Sequence, residues 1–181
     1  MTVRQRAVGW MAAVLCAVVS SVAGAQAPLS PRDALGMLKA GNDRFARNAA
    51  NPVSISQNRR RELAPAQHPI AMVLSCADAR VPPEYIFNAG LGDLFVIRTA
   101  GEVIDRSILA TIEYGADHLH IPLLVVMGHE SCGAVIAAKD ATTPAQSPNL
   151  DYLLKAIQTG KRAPRRIATT SRRWCSATSN R

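Results

Sequence analysis

Pro69-Ile70-Ala71-Met72-Val73-Leu74 runs without a polar residue, and Ser75-Cys76-Ala77-Asp78-Ala79-Arg80 follows at once. An apolar run of this length with no alternation suits a strand covered on both faces, as in parallel sheets. Leu94 to Ile97 is a second such strand, preceded by the turn Gly90-Leu91-Gly92-Asp93, and Ile121 to Met127 is a third, ended by Gly128. Between them Asp105 or Ser107 can cap a helix on which Ile108, Ile112, Gly115, Ala116 and Leu119 share a face. Gly133 to Ala138 reads as a helix packed on the sheet. Upstream, Ser30-Pro31-Arg32-Asp33 is a helix start, with a hydroxyl at N-cap, proline at N1 and an acid in the first turn. Leu35, Leu38 and Phe45 continue it. Asn51 to Gln57 reads as a loop, and Arg59-Arg60-Arg61-Glu62-Leu63 opens a short helix stopped by Pro65. Strands and helices in alternation predict an α/β domain with a mainly parallel central sheet flanked by helices.

Ligands of such sheets bind beyond the carboxyl ends of the strands. Cys76 follows the first strand there, and His129-Glu130-Ser131-Cys132 follows the third. If those two strands lie side by side and parallel, Cys76, His129 and Cys132 converge. Two thiolates and one imidazole leave a fourth position open on Zn²⁺, the catalytic arrangement. Such an ion lowers the pKa of its water from ~15.7 toward ~7 and so makes hydroxide at neutral pH. Cys132 also stands at a helix start, whose partial positive charge favours a thiolate. Asp78 beside Arg80 can form a bidentate pair that keeps the carboxylate ionised, able to accept the water's proton and orient the hydroxide. Alternatively Asp78 ligates the zinc and closes the site. A Cys76–Cys132 disulfide is the competing reading of the cysteines, but it leaves the nearness of Asp78, Arg80 and His129 without a reason. His68, His118 and His120 read as surface residues.

The chain has 181 residues, enough for one domain of ordinary size, with 48% hydrophobic residues and a net charge of +8. That charge sits at the ends. Arg4 and Arg6 begin the chain; Lys161, Arg162, Arg165, Arg166, Arg172, Arg173 and Arg181 follow Gly160 with no acid among them, and the stretch between is nearly neutral. A basic face for nucleic acid is therefore not supported. Residues 1–25 read as a secretory signal: two arginines, the uncharged run Ala7 to Val22, then Ala23-Gly24-Ala25 before Gln26. The mature chain is expected in the periplasm or outside the cell, with no stable membrane insertion after cleavage. Three segments result: the signal 1–25, the α/β domain 26–158, and a basic, disordered tail 159–181.

The motifs Ser-Cys-Ala-Asp-Ala-Arg-Val (75–81), Gly-Asp-Leu-Phe-Val-Ile-Arg (92–98), Ala-Gly (100–101), Ile-Glu-Tyr (112–114) and Gly-His-Glu-Ser-Cys-Gly-Ala-Val (128–135) resemble the β-class carbonic anhydrases, as does Gly-Asn-Asp-Arg-Phe at 41–45. The resemblance covers roughly Ser30 to Gln158. It implies one Zn²⁺ per chain on Cys76, His129 and Cys132, with Asp78 and Arg80 as the catalytic dyad and Asp78 able to become a fourth ligand in a closed state. The reaction implied is reversible hydration of CO₂ to bicarbonate and a proton. Gln67 matches the family's substrate-orienting glutamine, and Phe95 and Tyr114 match residues lining its CO₂ pocket. Some of these reach across a dimer interface in the family, which implies a homodimer or higher homo-oligomer. Read alone, Gln67 is a loop amide, and Phe95 and Tyr114 are core residues.

Two departures stand out. The family commonly has Arg-Asn-x-Gly-Asn after its second strand, where this chain has Arg98-Thr99-Ala100-Gly101-Glu102. The family also continues for tens of residues beyond the place of Gln158, whereas 159–181 shows no apolar periodicity, as in a shifted or prematurely ended reading frame. Two alternatives to carbonic anhydrase activity follow: a zinc-binding protein left inactive by truncation, and a related hydrolase acting on COS or CS₂.

Overall fold

The structure is a computed structural model that describes residues 28–53, 55–145 and 147–160. The expected signal segment and the basic stretch from 161 onward lie outside the described residues. Helix α1 (Pro31–Ala46) starts as its sequence dictates, with Ser30 Oγ accepting from the Asp33 N–H at 3.1 Å. Helix α2 (Gln57–Leu63) is capped in the same way by Ser56. Strands β1 (Ala71–Cys76), β2 (Leu94–Thr99) and β3 (Leu124–Met127) form a parallel sheet in the order β2-β1-β3. Between β1 and β2 lies the short helix α3 (Pro83–Ile86), and β2 runs into a 3-10 turn, Ala100–Glu102. Helix α4 (Arg106–Asp117) connects back to β3, and α5 (Gly133–Asp140) and α6 (Pro148–Gly160) follow. None of the described helices is long and apolar enough to cross a membrane.

The central strand is buried at all six positions, the reason its sequence lacks alternation. Ala71 and Val73 pack with Leu38, Ile86, Phe87, Ala89 and Met127 on one side of the sheet. On the other, Met72 meets α4 so closely that a Cβ on Gly115 would lie 2.4 Å from the Met72 sulfur. Gly115 is thus the residue that lets the helix seat. Asp105 is the cap, its Oδ1 accepting from the Ile108 N–H at 2.9 Å and from the Ser107 hydroxyl.

Boundaries moved where hydrogen bonding overrode hydropathy. The first strand lies two residues later than its apolar run, because Ser75 and Cys76 continue the ladder opposite Arg98 and Thr99. The third is shorter than Ile121 to Met127. The Ile121 N–H donates to the Gly115 carbonyl at the end of α4, and Pro122 has no N–H to give. Helices α3 and α6 have no counterpart among the expected elements. Helix α6 is held by Leu154 and Ile157 against Ala138 of α5, and it runs on through Thr159 and Gly160.

Candidate metal centre

Parallel pairing of β1 with β3, Ser75 opposite Met127, sets the ends of both strands side by side. The loop after β3 therefore reaches the end of β1. One atom each from Cys76, His129 and Cys132 lie within 4.8 Å of one another, and the two sulfurs are 3.8 Å apart as free thiols. The disulfide reading is not realised. Ser131 takes a φ of 53° in the turn between His129 and Cys132, and Cys132 becomes the N-cap of α5.

The imidazole is oriented by its own loop. His129 Nδ1 lies 2.9 Å from the Glu130 carbonyl oxygen, which can only accept, so Nδ1 carries the proton and Nε2 presents a lone pair. Nε2 is buried and has no hydrogen-bond partner among the described residues. A buried acceptor without a donor is costly. Here it faces two sulfurs, and an ion taking lone pairs from all three would remove the cost. The donor set, two sulfurs and one imidazole nitrogen, fits Zn²⁺. In the metal-free chain, burial pushes the Cys132 thiol up, and the N–H groups of Val135 and Ala134 only partly offset it. The thiolate expected from the helix start is thus outweighed by desolvation.

Asp78 stands beside this trio rather than within it. Its Oδ1 accepts from the Arg80 backbone N–H and Nε, both at 2.9 Å, and its Oδ2 accepts from Nη2 at 2.7 Å. Those bonds hold the carboxyl far below the usual carboxylate range. Oδ2 lies 3.9 Å from His129 Nε2, and Arg80 Nη2 also donates to the Ser131 carbonyl at 3.2 Å. The dyad thus ties the loop after β1 to the loop after β3.

Sequence reasoning passed over Arg98. Its Nε donates to the Cys76 carbonyl at 2.8 Å and its Nη2 to the Asp78 carbonyl at 2.6 Å. The available signal was its place at the end of an apolar strand, where a lone arginine needs carbonyl or carboxylate partners. Glu102, read from sequence only as a departure from the family's pattern, is half-buried, and its Oε1 has no hydrogen-bond partner among the described residues.

Gln67, Phe95 and Tyr114 are not brought to the trio within one chain. Gln67 is exposed ahead of β1, and Phe95 pairs with Met72 near the start of that strand. Four residues of strand, about 13 Å of rise, separate that end from Cys76. Phe95 and Tyr114 do meet, ring centroids 6.4 Å apart, and Tyr114 stacks on toward His118 at 5.2 Å. Tyr114 is half-exposed rather than a core residue. His68, His118 and His120 are exposed, as expected of surface residues.

Comparison with known proteins places this geometry. The family model described as "Carbonic anhydrase" matches residues 71–179. Carbonic anhydrase 2 of Mycobacterium tuberculosis is 48% identical over 119 residues, 66% of this chain and 58% of the relative. The carbonic anhydrase of Mycolicibacterium smegmatis is 48% identical over 122 residues with the same coverage. The chain spans less than two thirds of these relatives' own length. Among solved structures, the Coccomyxa β-carbonic anhydrase in complex with acetazolamide is 28% identical with a TM-score of 0.53, covering 71% of this chain and 59% of that one. A tetrameric β-carbonic anhydrase of Sordaria macrospora is 27% identical with a TM-score of 0.51, covering 70% and 64%. On the family match over residues 71–179 and these relatives, the chain belongs to the β-class carbonic anhydrase family.

Proposed function

We propose that this chain catalyses the reversible hydration of CO₂ to bicarbonate and a proton. The observation that carries the reading is the buried, unpartnered Nε2 of His129 facing two thiols 3.8 Å apart, with an ionised carboxylate at its side. Cys76, His129 and Cys132 would hold one Zn²⁺, whose Lewis acidity makes water a nucleophile near neutral pH.

The chain's own residues supply the rest. Arg80 keeps Asp78 ionised, so Oδ2 stands as a charged hydrogen-bond acceptor that can orient the O–H of the attacking water. Arg98 fixes the backbone that carries Cys76 and Asp78. Arg80 is mostly exposed, so the dyad borders solvent.

Gln67, Phe95 and Tyr114 would complete a CO₂ pocket only at the centre of a second copy, because in one chain they lie at the other end of the sheet. We therefore propose a homodimer or larger assembly as the active form, located outside the cytoplasm if residues 1–25 direct export. The same separation favours a second reading for a chain that stays monomeric, namely zinc binding without turnover.

Metal analysis, sedimentation and stopped-flow CO₂ hydration on one preparation decide between them. Expected are about one zinc per chain, an oligomer, and a rate that falls on Asp78→Asn with zinc retained. A zinc-loaded oligomer at the uncatalysed rate would overturn the proposal, as would absence of stoichiometric zinc.

A further inference from the structure

A second carboxyl group stands behind the metal centre. The 3-10 turn after β2 is tied to the end of β1, where the Ala77 N–H donates to the Thr99 carbonyl at 3.0 Å. It closes on itself through Thr99 Oγ1, which donates to the Val103 carbonyl at 2.9 Å. On its other side the turn meets the start of α5. A Cβ on Gly101 would lie 3.5 Å from the Ala134 Cβ, and Glu102 lines one cleft with Val135. Ala134 and Val135 in turn pack against the buried group of Cys76, Val81 and Cys132. The turn that carries Glu102 is thus held against both segments that carry the thiols.

Glu102 has a φ of 53°, a left-handed backbone that residues with a Cβ seldom adopt. Strain of this kind persists only where the surroundings impose it, and it collects at functional sites. The Glu102 Oε1 is enclosed and has no hydrogen-bond partner among the described residues. Burial pushes the carboxyl upward, and a positive His129 pulls it the other way. The Asp78 carboxylate is already matched by the Arg80 fork. An enclosed carboxylate is costly unless positive charge offsets it. His129 acts on Glu102 through space, so a cation arriving on the imidazole would supply that offset.

We propose that Glu102 is a positioning residue of the metal centre, its carboxylate acting through His129 to tighten the grip of the Cys76–His129–Cys132 trio on a divalent cation. This role rests on the zinc reading of the trio and lies outside the ligand set. Enclosing the carboxyl destabilises the metal-free chain, and loading the metal offsets that. Removing the charge should therefore act with opposite signs on the two states. Metal-free protein should gain or keep stability, and metal binding should weaken.

Zinc competition with a chromophoric chelator and thermal unfolding of metal-free protein, both on the full chain, test this. Glu102→Gln should bind zinc about tenfold more weakly, while its metal-free form melts no lower than the unaltered chain. Glu102→Asp keeps the charge and should recover most of the affinity. Should Glu102→Gln fail to fold, Glu102→Gly takes its place, because glycine adopts a left-handed turn freely, and it should show the same loss. Cobalt(II) loaded in place of zinc should absorb alike in the unaltered chain and the variant, as expected when both sulfurs and the imidazole stay bound. Unchanged zinc affinity, or an equal loss in Glu102→Gln and Glu102→Asp, would overturn the proposal and leave the zinc reading standing. A lower melting point of the metal-free variant, or an altered cobalt spectrum, would make Glu102 a packing residue and overturn it too. An unaltered chain that takes up no zinc would overturn both readings together.

Discussion

Arg98 Nε donates to the carbonyl oxygen of Cys76 at 2.8 Å, so a side chain from β2 holds the backbone of a thiol at the end of β1. Its Nη2 takes the Asp78 carbonyl two residues on, and the loop between the two is clamped at both ends. A rigid approach of ligand and dyad to the same point depends on that clamp.

Replacing Arg98 should therefore loosen the metal centre without touching a ligand. Arg98→Met is expected to weaken zinc affinity by about 10–100-fold. Arg98→Lys should restore little, because one ammonium cannot reproduce a planar fork across two carbonyls. Competition with a chromophoric chelator measures both; unchanged affinity in Arg98→Met would remove the clamp from the account.

Asp78→Asn should keep the zinc and lose the rate. Asparagine still accepts from Arg80 through its one carbonyl oxygen but puts an N–H₂ donor where the carboxylate offered a second acceptor. A fall in kcat of about 10²–10³-fold is expected for loss of a preorganised hydrogen-bond partner. Metal content measured on the same sample separates this from failure to load.

Metal removal should expose a reactive pair. The Cys76 and Cys132 sulfurs, 3.8 Å apart, need only a small approach to bond. In a Cys175→Ser background stripped by chelator, hydrogen peroxide should oxidise the two thiols to one disulfide, giving two waters and blocking zinc uptake until reduction. Zinc-loaded protein should resist. Mass spectrometry of the tryptic peptides reads the cross-link.

The cap of α4 should make stability pH-dependent. The Ile108 N–H, with the Ser107 hydroxyl, holds the Asp105 carboxyl below its usual value. A depressed folded pKa means that the stabilisation is fully present above the unfolded value of about 3.9 and is lost as pH falls through the lower folded one. Thermal midpoints between pH 5 and pH 2 should fall less steeply in Asp105→Asn, which keeps a cap without the charge.

Gly115→Val should cost about 1–3 kcal/mol by overpacking, because the first added carbon meets the Met72 sulfur at 2.4 Å in a filled core. Pairing it with Met72→Ala should return part of the loss in chemical denaturation. Additive losses in the double variant would show that the two sites do not share the space.

The helix starts at Ser30 and Asp105 and the strand runs ending near Cys76 and Met127 were legible because caps and uninterrupted apolar runs are local properties. Parallel strands put chemistry at their carboxyl ends, and that rule was enough to bring Cys76, His129 and Cys132 together on paper. The length of β3 was not legible from hydropathy, because it turned on an N–H that Ile121 gave to α4. Helix α3, at four residues, is too short for a periodic pattern.

The amino-acid sequence by itself determined the α/β alternation, the ligand trio and the Asp78–Arg80 pair, since each rests on neighbours in the chain or on strand ends. Only the tertiary structure decided that Arg98 clamps Cys76, that Glu102 is half-buried at a left-handed turn, and that Gln67, Phe95 and Tyr114 stand a strand's length from the ligands. Those facts depend on which segments meet across the sheet. Register and packing set that, and no local pattern of residues encodes the distance between two ends of the same strand's surroundings.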